Sequence, residues 1–122
     1  MEGKIQTFRD LKAWQEAHKL VLEAYRITKT YPAEEKFGLV SQSQRAAVSI
    51  SSNVAEGFGR FSDKDKHHLY SMAKTSLAEL QNQLLIARDL KYMDENKCEE
   101  LYSQSDTVGA LIKGLMRAVS NR

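Results

Sequence analysis

Pro32 is the only proline in a chain of 122 residues. Everything after it is free to run as long helices, and whatever precedes it must stop there. The residue before a proline is pushed out of the helical region, and proline itself cannot extend the hydrogen-bond ladder. A helix is therefore expected from Asp10, a good N-cap residue, to the Tyr31–Pro32 stop. Its apolar positions recur at Leu11, Trp14, His18, Val21, Tyr25 and Thr28 in three–four alternation, with a flanking row at Ala13, Ala17, Leu20, Ala24 and Ile27. Lys12, Glu16, Lys19, Glu23 and Arg26 fall on the other side as a solvated face. Residues 1–9 read as an N-terminal arm, and residues 10–122 as one domain.

A second helix is expected from Ala33 or Glu34, with Glu34 and Glu35 at the positive end of its dipole. The expected core stripe is Phe37, Val40, Gln44, Ala47, Ser51, Val54 and Phe58, widened by Val48 and Ala55, with Ala46 and Ile50 on one flank and Gly38, Arg45, Ser49, Ser52 and Glu56 pointing away. Gly57 and Gly59 are expected to stop it. Ser62, followed three residues later by Asp65, opens a third helix in the manner of a capping box. Its buried row is Leu69, Tyr70, Ala73, Leu77, Leu80, Leu84 and Ala87, with Met72, Ile86 and Leu90 to the side. Asp94 caps a fourth, whose row runs through Cys98, Leu101, Ser105, Val108, Ile112, Leu115, Met116 and Val119. Four helices of about 25 residues with short connections give an all-α, antiparallel up-down-up-down four-helix bundle.

The second helix carries an anomaly. Between Ser41 and Ala55 the one charged residue is Arg45, and between Thr75 and Ala87 it is Glu79. Solvated helix faces normally show Lys and Glu, so two strips this neutral suggest a covered surface and hence an assembly. If the turn lies near Arg60, Arg45 and Glu79 stand at similar heights on antiparallel helices and are expected to pair. Glu56 and Arg60, four apart, are expected to close the helix end.

Catalytic chemistry finds little support. A di-metal bundle needs inward Glu residues and two Glu-x-x-His motifs, whereas Glu23, Glu56, Glu79 and Asp106 project away from the apolar rows. His67 and His68 diverge by about 100° on a helix, and Asp63 with His67 supplies only two ligands on a surface turn. His18 reads as a core or boundary histidine without an orienting acid. Cys98 reads as a small hydrophobe, and Gly57–Arg60 lacks the strand that precedes a phosphate loop. No enzymatic activity, cofactor, metal or small-molecule substrate is expected.

Eighteen Lys and Arg face sixteen Asp and Glu, a balance too even to declare a nucleic-acid partner. Arg45, Arg60, Lys64 and Lys66, repeated around an oligomer, would nevertheless form a basic ring able to meet phosphates. Neither a signal peptide nor a run of about 20 apolar residues is seen, and one cysteine is compatible with a reducing compartment. A cytoplasmic protein without a membrane partner is expected.

Several blocks then resemble a known family. They are Phe8–Leu11 with Trp14, Gln15 and Ala17; Tyr31–Pro32; the run Gln44–Ile50 with Asn53, Val54, Ala55, Glu56, Gly57 and Arg60; and Ala73, Ser76, Glu79 and Leu80. Together they resemble the four-helix-bundle proteins encoded in bacterial 23S rRNA intervening sequences. That family also looks related to the accessory variability protein of diversity-generating retroelements, a pentameric barrel that associates with a reverse transcriptase and nucleic acid. The resemblance implies a cytosolic bacterial homo-oligomer, a pentamer by that relation, without enzymatic activity. It marks Arg45, Ser49, Asn53, Glu56, Gly57, Arg60 and Glu79 as the family motif. It leaves two readings open: a scaffold or adaptor whose motif serves the turn and subunit contacts, or an accessory factor that binds RNA or DNA.

Overall fold

The computed structural model describes residues 4–122 and is all-helical there, with four main helices: α1 (Lys12–Thr28), α2 (Ser41–Phe58), α3 (Asp63–Asp89) and α4 (Glu95–Ser120). Short connections reverse the chain each time. α2 packs most extensively on α3 and α3 on α4, while α1 lies against α2 and α4 and closes the bundle. The expected four-helix architecture is present.

α3 and α4 match the sequence closely. Ser62 Oγ accepts from the Asp65 N–H at 3.0 Å and Asp94 Oδ1 from the Lys97 N–H at 2.7 Å, each satisfying a donor that the first helical turn leaves free. Leu69, Tyr70, Ala73, Leu77, Leu80, Leu84 and Ala87 are all buried, as are Cys98, Leu101, Ser105, Val108, Ile112 and Val119. α3 ends where Lys91 turns left-handed (φ 68°). There the Tyr92 N–H reaches the Ala87 carbonyl at 2.9 Å and the Lys91 N–H reaches the Arg88 carbonyl at 3.0 Å, the paired bonds of a Schellman stop.

The first half departs from expectation in three places. Of the expected arm, residues 1–3 lie outside the described residues. Thr7 caps a 3-10 turn, Phe8–Asp10, and the Asp10 carboxylate accepts from the Gln6 and Thr7 N–H groups at 2.9 and 3.0 Å. Asp10 thus belongs to that turn and does not cap α1, which starts two residues later from Leu11. Within α1 the buried line follows the expected flank through Ala13, Ala17, Leu20 and Ala24 and ends on Thr28 of the expected stripe, while Ile27 is half-buried. Trp14, His18, Val21 and Tyr25 are less deeply placed, and His18 is exposed and stacks on Trp14 at 4.8 Å between ring centroids. The small alanines let α1 approach closely, and this turns the helix away from its larger stripe.

α2 begins later than expected. Ala33–Glu35 form a 3-10 turn and Lys36–Val40 a π-type turn with non-helical backbone at Gly38 (φ −112°, ψ −111°). Beyond it, the buried face of α2 lies about one position from the expected stripe. Leu39, Ser43, Ala46, Ala47, Ile50, Asn53, Val54 and Gly57 are buried, while Phe37, expected in the core, is 89% exposed. Ala46 and Ile50 are core residues, not flank, whereas Val48, expected to widen the core stripe, is exposed and Ala55 is only half-buried, because both lie on the side of α2 turned away from the bundle. Glu35 anchors the segment: its Oε1 accepts from the Leu39 N–H at 3.2 Å and its Oε2 from the Tyr92 hydroxyl at 2.7 Å. No helix among the described residues is long and apolar enough to cross a membrane.

Candidate interface on the second and third helices

Motif residues hold α2 against α3. Ser49 and Ser76 share a hydrogen bond of 2.7 Å between hydroxyls, one from each helix. Asn53, buried one turn along, donates through Nδ2 to the Ser49 carbonyl at 2.9 Å and to Ser49 Oγ at 3.1 Å. A buried polar group left unpaired costs about 1–3 kcal/mol, so this small network fixes the relative height of the two helices. Ser49, expected to face away, is half-buried for that reason. Gly57 lies inside α2, and a Cβ there would come within 2.6 Å of Tyr70 Cε1. Its place in the motif reflects close helix approach. The helix does end at Gly59, its C-cap, though with ordinary right-handed dihedrals (φ −81°, ψ −7°), so Gly57 takes no part in the expected stop.

Outside this network lies a groove of about 380 Å³ with Arg45 and Gln42 on one wall and Glu79 on the other. Arg45 and Glu79 are exposed and, contrary to expectation, make no ion pair with each other. At the groove, Gln83 is only 7% exposed, and its Oε1 is buried without a hydrogen-bond donor. Met72, Ile86 and Leu90, all exposed, recur at helical spacing with Ser76, Glu79 and Gln83 and so border the same side of α3. Between α1 and α2 a larger groove of about 650 Å³ is lined by Tyr25, Phe37, Val40 and Val48, with Lys36 and Arg45 at its edges. The outward line of α2 between these grooves is Ser41, Arg45, Val48, Ser52 and Ala55, which contains one charge.

The expected basic cluster is only partly free. Lys66 is half-buried and donates to the Phe58 and Gly57 carbonyls at 2.6 and 3.4 Å, which caps the C-terminus of α2 and removes this lysine from the surface set. Glu56 and Arg60 border one depression with Phe61 and Asp65 but form no ion pair. Asp63 is taken by Arg122 at 3.0 Å. Arg60 and Lys64 remain exposed, and the phenyl ring of Phe61 between them is fully exposed.

Cys98 is buried against the Leu84 carbonyl, and burial raises its thiol pKa, which disfavours the nucleophilic thiolate. Among the described residues no group of three or more His, Cys, Asp or Glu converges as a metal site.

Sequence reasoning missed Gln83, the Ser49–Ser76 bridge and the outward Phe37. Ser76 stood among the matched residues, and its polarity within an apolar row was the available signal. Phe37 offered none, because its exposure depends on the backbone at Gly38.

Comparison with known proteins agrees with the fold. The family model described as 23S rRNA-intervening sequence protein matches residues 9–114. A solved structure of a protein of unknown function from the S23 ribosomal protein family of Bacteroides thetaiotaomicron VPI-5482 superposes with a TM-score of 0.79 at 18% identity, covering 85% of this chain and 97% of that one. At such identity the likeness bears on the fold alone. No curated protein matches the sequence.

Proposed function

Since its family model spans residues 9–114, the chain belongs to the 23S rRNA-intervening sequence protein family, and on that premise we propose that it acts as a homo-oligomeric helical-bundle scaffold or adaptor without catalytic activity. The observation that carries this reading is the outward line of α2, which holds Val48 and a single charge and is flanked by exposed Tyr25 and Phe37 on one side and Met72 and Ile86 on the other. Exposed large apolar side chains grouped beside a charge-poor line are what interaction sites show. The two flanks differ, and two unlike patches on one molecule suit a head-to-tail contact, which gives a ring where its rotation closes. A pentamer, the number the resemblance implies, is such a ring.

The mass of the purified chain in solution tests this. A multiple of 13.9 kDa is expected, and Val48→Glu, which places a carboxylate on the outward line, should shift the population toward monomer with unchanged helical content. A wild-type chain that stays monomeric at tens of micromolar overturns the proposal.

A second reading, an accessory factor that binds RNA or DNA, is favoured by the free Phe61 ring beside Arg60 and Lys64. An exposed aromatic offers a stacking face and the two cations meet phosphates. Gel shifts with structured RNA and single-stranded DNA should show binding that weakens steeply with salt and drops in Phe61→Ala and Arg60→Ala. Affinity untouched by both substitutions rules this reading out.

A further inference from the structure

Arg45 and Glu79 are the sole charges of their segments, both are exposed, both border the α2–α3 groove, and neither has an ionic partner among the described residues. Water solvates them adequately while the face is open. Covering the face removes that water, and a charge left unpaired beneath a partner is strongly disfavoured. A partner that covers this face must therefore bring a carboxylate to Arg45 and a cation to Glu79. A second copy of this chain carries both.

The groove adds an independent demand. Gln83 lines the groove and its Oε1 is a buried acceptor with no donor; a turn of its amide would present that oxygen to the space that the small side chains of Ala46, Ser49 and Ser76 leave open. A guanidinium has five N–H donors in a planar fork, more than one carboxylate uses. Arg45 lies on the outward line of α2 with Ser41, Val48 and Ser52, which carries it toward a neighbour. Glu79 lies on the α3 flank shared with Ser76 and Gln83.

We propose that, in the assembly described above, Arg45 of one copy enters the α2–α3 groove of the next and pairs with Glu79 there, its remaining N–H groups directed at Gln83. This inference rests on the assembly reading and names the contact that would give it specificity.

Charge reversal tests it. Arg45→Glu and Glu79→Arg should each weaken assembly by about tenfold or more, because like charges then meet across the contact. The double variant should recover assembly. The deciding arm mixes the two single variants: one now offers two acidic groups and the other two basic ones, so every contact between unlike variants is matched, and the mixture should associate while neither variant assembles alone. Alternation suits an even number of copies and leaves one like-charged contact in an odd ring, so the readout is association between the variants and not recovery of the wild-type ring. An ion pair confined to one chain would also be restored in the double variant but could not be rescued by mixing. Failure of the mixed variants to associate with each other, or single variants that assemble like the wild type, overturns the pairing. A monomeric wild type overturns the assembly reading itself, and the pairing with it. Circular dichroism of each variant checks folding, and should a reversal unfold the bundle, Arg45→Gln and Glu79→Gln, singly and together, give a double-mutant cycle in which the double variant should lose no more assembly than either single one.

Discussion

At the scale of single residues, glycines show how identity and role come apart. Gly57 was legible as a fixed point of the motif, yet its expected role as a helix stop was wrong, because the reason for a glycine there is Tyr70, a residue on another helix. Glycine-to-alanine exchange inside a helix normally stabilises by about 1 kcal/mol. At Gly57 the added methyl would lie 2.6 Å from the Tyr70 ring, and overpacking of this kind costs about 1–3 kcal/mol or more. Gly57→Ala should therefore lower the urea midpoint. Gly114→Ala, in α4 where a Cβ meets nothing within 4 Å, should raise it by up to about 1 kcal/mol in stability. Two substitutions that are the same on paper are thus expected to move the unfolding curve in opposite directions. Arg45 and Glu79 teach the converse lesson: their isolation was plain in the sequence, whereas their failure to pair within the chain depends on side-chain direction, which spacing does not report.

At the scale of elements, α3 and α4 were readable because each carries one clean apolar row between strong caps. α1 and the start of α2 were not. α1 has two adjacent apolar stripes, and periodicity alone cannot say which of them faces the centre. Steric bulk decided it in favour of the alanine-rich one. In α2 the expected phase ran straight through Gly38, where the backbone leaves the helix. The Glu35 carboxylate holds this irregular turn, and the hydrogen bond from the Tyr92 hydroxyl, then that from the Leu39 N–H, keep its pKa below the ordinary value. A carboxylate whose folded pKa is depressed contributes stability that is full above its unfolded pKa and is lost as pH falls through the folded one. Denaturant midpoints measured from neutral pH downward should therefore fall less steeply in Glu35→Gln than in the wild type, starting from a lower value at neutral pH. Parallel curves would mean that the carboxylate contributes nothing there.

At the scale of the whole molecule, the bundle arises from properties that survive local error. A helix rotated by one position still buries an apolar face, so misplacing the centre of α1 left the four-helix architecture intact. The candidate interface was legible in part for a different reason: absence of charge is a property of composition, visible without coordinates. The apolar half of that interface was not, since spacing alone places Tyr25, Phe37 and Val48 in the core. The irregular turn at Lys36–Val40 bears on how such a protein can change. A π-type turn accommodates one residue more than an α-helical turn does, so it can absorb an insertion or deletion without passing the slip on to α2. Losing one residue there would rotate Phe37 by about 100° relative to α2 while leaving the Ser49–Ser76 register untouched. Changes of chain length at this point would thus remodel the outer surface of the bundle, and the packed interior would keep no trace of them.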